Sequence, residues 1–67
     1  MRVACIKNGE VVNVIEVESL EKIPNIVAID EKGKLITKDE VKIIQTDNGS
    51  VGDIYVEGKG FFRFVGF

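Results

Sequence analysis

The sequence predicts an all-β fold, a small antiparallel meander, sandwich or barrel of about five or six short strands, and three observations support it. An Asn8-Gly9 pair, the strongest short hairpin signal, joins two runs rich in β-branched residues. Further β-branched and aromatic runs follow at short intervals. Each is bounded by turn chemistry, at Asp30-Glu31-Lys32-Gly33, Asp47-Asn48-Gly49-Ser50 and Glu57-Gly58-Lys59-Gly60.

The first hairpin joins Arg2-Val3-Ala4-Cys5-Ile6-Lys7 to Glu10-Val11-Val12-Asn13-Val14-Ile15-Glu16-Val17. A type I′ turn centred on Asn8-Gly9 sets Lys7 opposite Glu10, Ile6 opposite Val11, Cys5 opposite Val12, Ala4 opposite Asn13 and Val3 opposite Val14. One face then carries Val3, Cys5, Val12 and Val14. The other mixes Ala4, Ile6, Val11 and Ile15 with Arg2 and Asn13.

Alternation lapses from Glu18 to Asn25, a stretch that holds the only proline, Pro24, so it reads as a connector with at most one helical turn capped by Ser19. Ile26-Val27-Ala28-Ile29 suits a buried strand, and the charged turn after it leads to Lys34-Leu35-Ile36-Thr37, giving a second hairpin. Thr37-Lys38-Asp39-Glu40 has the form of a capping box. The β-branched content of Val41-Lys42-Ile43-Ile44-Gln45-Thr46 nevertheless favours a strand there.

A closing hairpin is expected from Val51-Gly52-Asp53-Ile54-Tyr55-Val56 and Phe61-Phe62-Arg63-Phe64-Val65-Gly66-Phe67. Centred on Gly58-Lys59, it opposes Val56 to Phe61, Tyr55 to Phe62 and Ile54 to Arg63. Tyr55, Phe62 and Phe64 then share one face; Ile54, Val56, Phe61 and Val65 share the other. A hairpin apolar on both sides needs cover on both sides, which so short a chain finds by folding over or by meeting another subunit.

A chain of 67 residues has room for one domain, spanning residues 1–67, with one thin core. Small domains usually supplement such a core with disulfides, a metal or a partner. The single cysteine, Cys5, excludes an intrachain disulfide, and the absence of histidine removes the usual zinc frameworks, which leaves homo-oligomerisation. Nine basic and eleven acidic residues give a formal net charge of -2, against the basic field that nucleic-acid binders concentrate. No apolar stretch reaches the roughly 20 residues a membrane-spanning helix needs, and the Met-Arg start lacks a signal-peptide core. The expectation is a protein made in the cytoplasm, free of membranes, with incorporation into a released particle compatible with it.

The residue types for catalysis are sparse. With no histidine, and Cys5 inside an apolar run, no activated nucleophile of the usual kind can be assembled. Asp53 and Glu57 are the candidate carboxylate pair, but their place in and beside a turn fits solvated acids better. Ser19-Leu20-Glu21-Lys22 matches S-x-x-K without that enzyme class's other signatures. The glycines from Gly52 to Gly60 miss phosphate-loop spacing, and Asp47, Asn48 and Asp53 depart from calcium-loop spacing. The expectation is a non-enzyme that needs no cofactor and no metal.

Lys59-Gly60-Phe61-Phe62-Arg63-Phe64-Val65-Gly66-Phe67 resembles the aromatic RNP1 string of RNA-recognition and cold-shock domains, whose aromatics stack on bases. One extra residue before Phe64 shifts the alternation and puts Phe61 and Phe64 on opposite faces. Structural packing or protein contact is the better use of these side chains. Tyr55, Phe61, Phe62, Arg63, Phe64 and Phe67 are therefore the candidate interaction residues.

Ile6 to Ile15, Ile26 to Ile29, and Val51-Gly52-Asp53-Ile54-Tyr55 with Gly60-Phe61-Phe62 together resemble a group of small bacteriophage tail-associated proteins. Those proteins pair an N-terminal xNGxVxxVI hairpin with a VGxxYxxGxF ending. Asn8-Gly9, Val14-Ile15, Val51-Gly52, Tyr55 and Phe61 or Phe62 stand at the matching places. Val56-Glu57 replaces the Asp-Gly that commonly follows the tyrosine. The resemblance implies a phage or prophage protein that serves in a virion, a tail fibre or their assembly, with no catalytic residue. Two rival expectations stand beside it: a single-stranded nucleic-acid binder using Tyr55, Phe62, Arg63 and Phe64, and a small regulator docking on a host or phage protein through Asp30-Glu31 and Asp39-Glu40.

Overall fold

In the computed structural model, which describes residues 1–65, Asn8 and Gly9 have φ values of 53° and 77°. Both central residues of a type I′ turn need positive φ, and asparagine and glycine tolerate it best. The chain reverses there between β1 (Arg2–Lys7) and β2 (Glu10–Glu16). Lys7 faces Glu10 and Ile6 faces Val11, as the turn dictates.

Beyond Ile6 the expected register is corrected. Cys5 pairs with Asn13, Ala4 with Val14 and Val3 with Ile15, because the ladder shifts between Cys5 and Ile6 and leaves Val12 as an extra residue. This β-bulge exchanges the faces of Val14 and Ile15. Ile15 joins Val3, Cys5 and Val12 on one side of the sheet, and Val14 joins Ala4, Ile6 and Val11 on the other.

Five strands form the main antiparallel sheet in the order β5-β1-β2-β6-β7, where β5 is Lys42–Gln45, β6 Ile54–Val56 and β7 Gly60–Phe62. A separate hairpin of β3 (Ile26–Ile29) and β4 (Leu35–Thr37) makes a second, two-stranded sheet. The fold is all-β, as expected. Among the described residues it has seven strands where about five or six were expected, and β5 returns to pair with β1, so the sheet is not one continuous meander.

Local chemistry explains the connectors. Leu20–Lys22 forms the one expected turn, a 3₁₀ turn with Ser19 extended at its N-cap position, but the Ser19 side chain makes no cap bond. Lys38–Glu40 forms a second 3₁₀ turn, and the Glu40 carboxylate accepts from the Thr37 amide at 3.2 Å and its hydroxyl at 3.1 Å. The capping-box residues and the β-branched strand after them thus both form, in succession. In the β3–β4 turn, Asp30 Oδ1 accepts from the amides of Lys32 and Lys34, each at 2.9 Å.

Two apolar clusters lie on opposite sides of the five-stranded sheet. On one side Val3 and Cys5 pack against Ile23, Val27, Ala28 and Ile36, so the β3–β4 hairpin and its approach cover the β5-β1-β2 half of that face. On the other, Ala4, Ile6 and Val11 pack with Val14, Ile44, Tyr55 and Phe61. Val3 and Val11 are fully buried, and each such side chain contributes about 1.5–3 kcal/mol of hydrophobic stabilisation.

The segment between β5 and β6 closes the second cluster. The Arg2 guanidinium donates to the carbonyls of Thr46 (3.0 Å), Asn48 (2.9 Å) and Gly49, which holds the segment at the end of the sheet. Gly49 lies against the Phe61 ring. The sheet also curls: Lys42 on edge strand β5 reaches Glu57, in the β6–β7 turn, at 2.7 Å.

Candidate interaction surface

The closing hairpin differs by one residue from the sequence expectation. Val56 pairs with Gly60, Tyr55 with Phe61 and Ile54 with Phe62, so the turn holds the three residues Glu57, Gly58 and Lys59. The regular strand also begins at Ile54, not Val51. Gly52 and Asp53 instead engage Val11 through a Gly52 N–H to Val11 carbonyl bond and a Val11 N–H to Asp53 carbonyl bond, both 2.9 Å.

This register divides the candidate residues. Tyr55 and Phe61 turn inward, with ring centroids 5.0 Å apart at a tilt of 48°. The Lys42 ammonium lies 5.5 Å from the centre of the Tyr55 ring. Hydrogen bonding to Glu57 raises the Lys42 pKa, and the same contact lowers that of Glu57. Tyr55 and Phe61 are therefore packing residues. The expected grouping of Tyr55 with Phe62 and Phe64 on one face is corrected.

Phe62 joins Ile54 and Val56 on the opposite face, and all three are exposed, at 49%, 39% and 41%. Phe64 and Val65 extend the exposed apolar chain, and Phe64 lines a hollow with Asn8, Gly9, Glu10, Gly52 and Ile54. Arg63 is exposed between them. Phe67 lies outside the described residues.

This face belongs to the side of the sheet that the β3–β4 hairpin covers elsewhere. Glu10, Ile54 and Phe62 stand in one row across β2, β6 and β7. A groove of about 440 Å³ continues from Glu10 towards the hairpin, with Val12, Ile29, Ile36 and Val51 as apolar lining and Asp30, Glu31 and Lys32 on its rim. Ile29 and Val51 are both exposed. Sequence reasoning passed over Ile54, Val56 and Val51; a three-residue turn length would have grouped the first two with Phe62.

Other candidates are engaged locally. Cys5 is buried, and desolvation raises its thiol pKa, so the neutral, weakly reactive form prevails. The Asp53 carboxylate accepts from the Ser50 amide at 2.8 Å, while Glu57 pairs with Lys42. The Asn48 amide donates to Thr46 Oγ1 at 3.0 Å. Glu40 meets Lys7 at 3.0 Å, and that contact with those from Thr37 holds its pKa down to about 2. Among the described residues no three metal-binding side chains converge, and no helix is long and apolar enough to cross a membrane.

In comparisons with known proteins, no family model, no curated protein and no solved structure matches this chain.

Proposed function

We propose that this chain is a non-catalytic structural or assembly module of the phage tail type, made in the cytoplasm and built into a particle or its assembly apparatus by self-association. The observation that carries the reading is the bare half-face of the sheet, where Ile54, Val56 and Phe62 are exposed beside Phe64 and Val65. A contiguous apolar patch on a small domain marks a contact surface for other protein. The tail assignment rests on the sequence resemblance and is tested separately, by the genes that flank the coding sequence. Self-association is tested by the mass of the purified chain in solution at micromolar concentration. A mass above that of one chain is expected, and a single-chain mass throughout would contradict it.

The exposed Phe62, Arg63 and Phe64 also favour a second reading, stacking on single-stranded nucleic acid. The inward turn of Tyr55 and Phe61 and the net charge of -2 weigh against it. It predicts salt-dependent oligonucleotide binding that Phe64→Ala abolishes, and a flat titration removes it.

A further inference from the structure

We propose that two copies of this chain pair face to face about a two-fold axis passing between Ile54 and Phe62, so that each copy's Ile54 meets Phe62 of the other. The inference rests on the self-association reading and adds its geometry.

Three features favour a second copy as the occupant. First, this half-face continues a buried one: the β3–β4 hairpin covers the sheet as far as β2, and among the described residues nothing covers the same side of β6 and β7. Ile29, Val51, Ile54, Val56, Phe62 and Phe64 are each between 39% and 66% exposed, on a domain whose stable pairing buries ~800 Å² on each partner.

Second, the charges beside the patch are compatible with a two-fold rotation. Glu10, Asp30 and Glu31 lie on the β2 side, with Lys32 among them. Among the described residues these three acids form no ion pair. A rotation about an axis between Ile54 and Phe62 keeps the acidic sides of the two copies at opposite ends of the contact, so they do not repel each other.

Third, edge pairing is the weaker alternative. β7 has three residues, so joining β7 to β7 gains few backbone hydrogen bonds and leaves the apolar face wet.

The test uses Ile54→Lys, Phe62→Asp and an equimolar mixture of the two, with molecular mass measured by sedimentation and folding checked by a cooperative thermal melt. Each variant alone places charges against apolar partners and is expected to sediment as a single chain. Mixed, they form a pair in which one contact is Lys with Asp and the other Phe with Ile, so the mass doubles. If the native chain self-associates but the mixture stays at single-chain mass, or if either variant alone still pairs, the face-to-face geometry is overturned and the self-association reading survives. If the native chain is itself a single chain at micromolar concentration, both are overturned. Should a charged variant fail to fold, Ile54→Ala and Phe62→Ala decide the matter: each is expected to weaken association by about tenfold or more, and unchanged association overturns the geometry.

Discussion

The side-chain amide of Asn13 donates to the backbone carbonyl of Val27 at 2.6 Å, while its oxygen accepts from the Val14 amide at 2.9 Å, so one residue ties the five-stranded sheet to the β3–β4 hairpin. The bulge at Val12 sets Asn13 opposite Cys5, on the side of the sheet where the hairpin packs. Asn13→Ala leaves the Val27 carbonyl without this donor and should lower unfolding free energy by about 1–3 kcal/mol. Asn13→Asp keeps the acceptor but points a carboxylate at a carbonyl, so its loss should be at least as large. Urea unfolding at neutral pH measures both, and native-like stability in either would refute the role given to this contact.

Gly49 and Phe61 make a second prediction. Gly49 has a φ of 88°, and a Cβ there would fall 2.7 Å from the Phe61 ring. Gly49→Ala must therefore meet both backbone strain and overpacking, at about 2–4 kcal/mol together. Gly33 has a φ of 79° with nothing within 4 Å of its Cβ position, so Gly33→Ala carries only the backbone cost of about 1–2 kcal/mol. Equal losses in thermal or urea unfolding would mean that the segment does not rest on Phe61.

Acid dependence follows from Glu40. Its folded pKa of about 2 lies below the ~4.3 of a glutamate in an unfolded chain. The stabilisation it gives is therefore complete above the unfolded value and is lost as pH falls from there through about 2. Glu57, lowered by Lys42, acts in the same direction. Glu40→Gln should flatten the fall in unfolding midpoint across that acid window. An acid limb identical to that of the native chain would show that the Lys7 and Thr37 contacts do not hold in solution.

Cys5 supplies a probe of the core. Fully enclosed and with its thiol pKa raised, it should react with a disulfide reagent only through opening of the fold, far more slowly than in denaturant. Native reaction as fast as that of the unfolded chain would place Cys5 at the surface.

Much of the fold was legible because its turns are chemically explicit. Asn8-Gly9 fixed the first hairpin, and Asp30 to Gly33 the second. The register beyond Ile6 was hidden because Val11, Val12, Val14 and Ile15 are apolar on both sides of the bulge, and the one polar residue there, Asn13, turns inward to the Val27 carbonyl, so its polarity did not mark a solvent face. The last turn misled for a similar reason. Glu57 to Gly60 allows a two-residue or a three-residue loop, and the difference moves Phe61 from the open face to Tyr55. Of the candidate interaction residues, Phe62, Arg63 and Phe64 are exposed while Tyr55 and Phe61 are turned inward. The anchoring of Arg2 on Thr46, Asn48 and Gly49 spans more than forty residues of sequence, and no local pattern announces it.

The central claim is that other protein covers the bare side of β6 and β7 in solution, and a dilution series followed by NMR tests it most directly. Resonances of Ile54, Val56, Phe62 and Phe64 should shift with concentration across the micromolar range, while those of the buried Val3 and Val11 and of Leu20, exposed in the Leu20–Lys22 turn, stay fixed. Concentration-independent spectra, or shifts confined to the β3–β4 hairpin, would contradict the account.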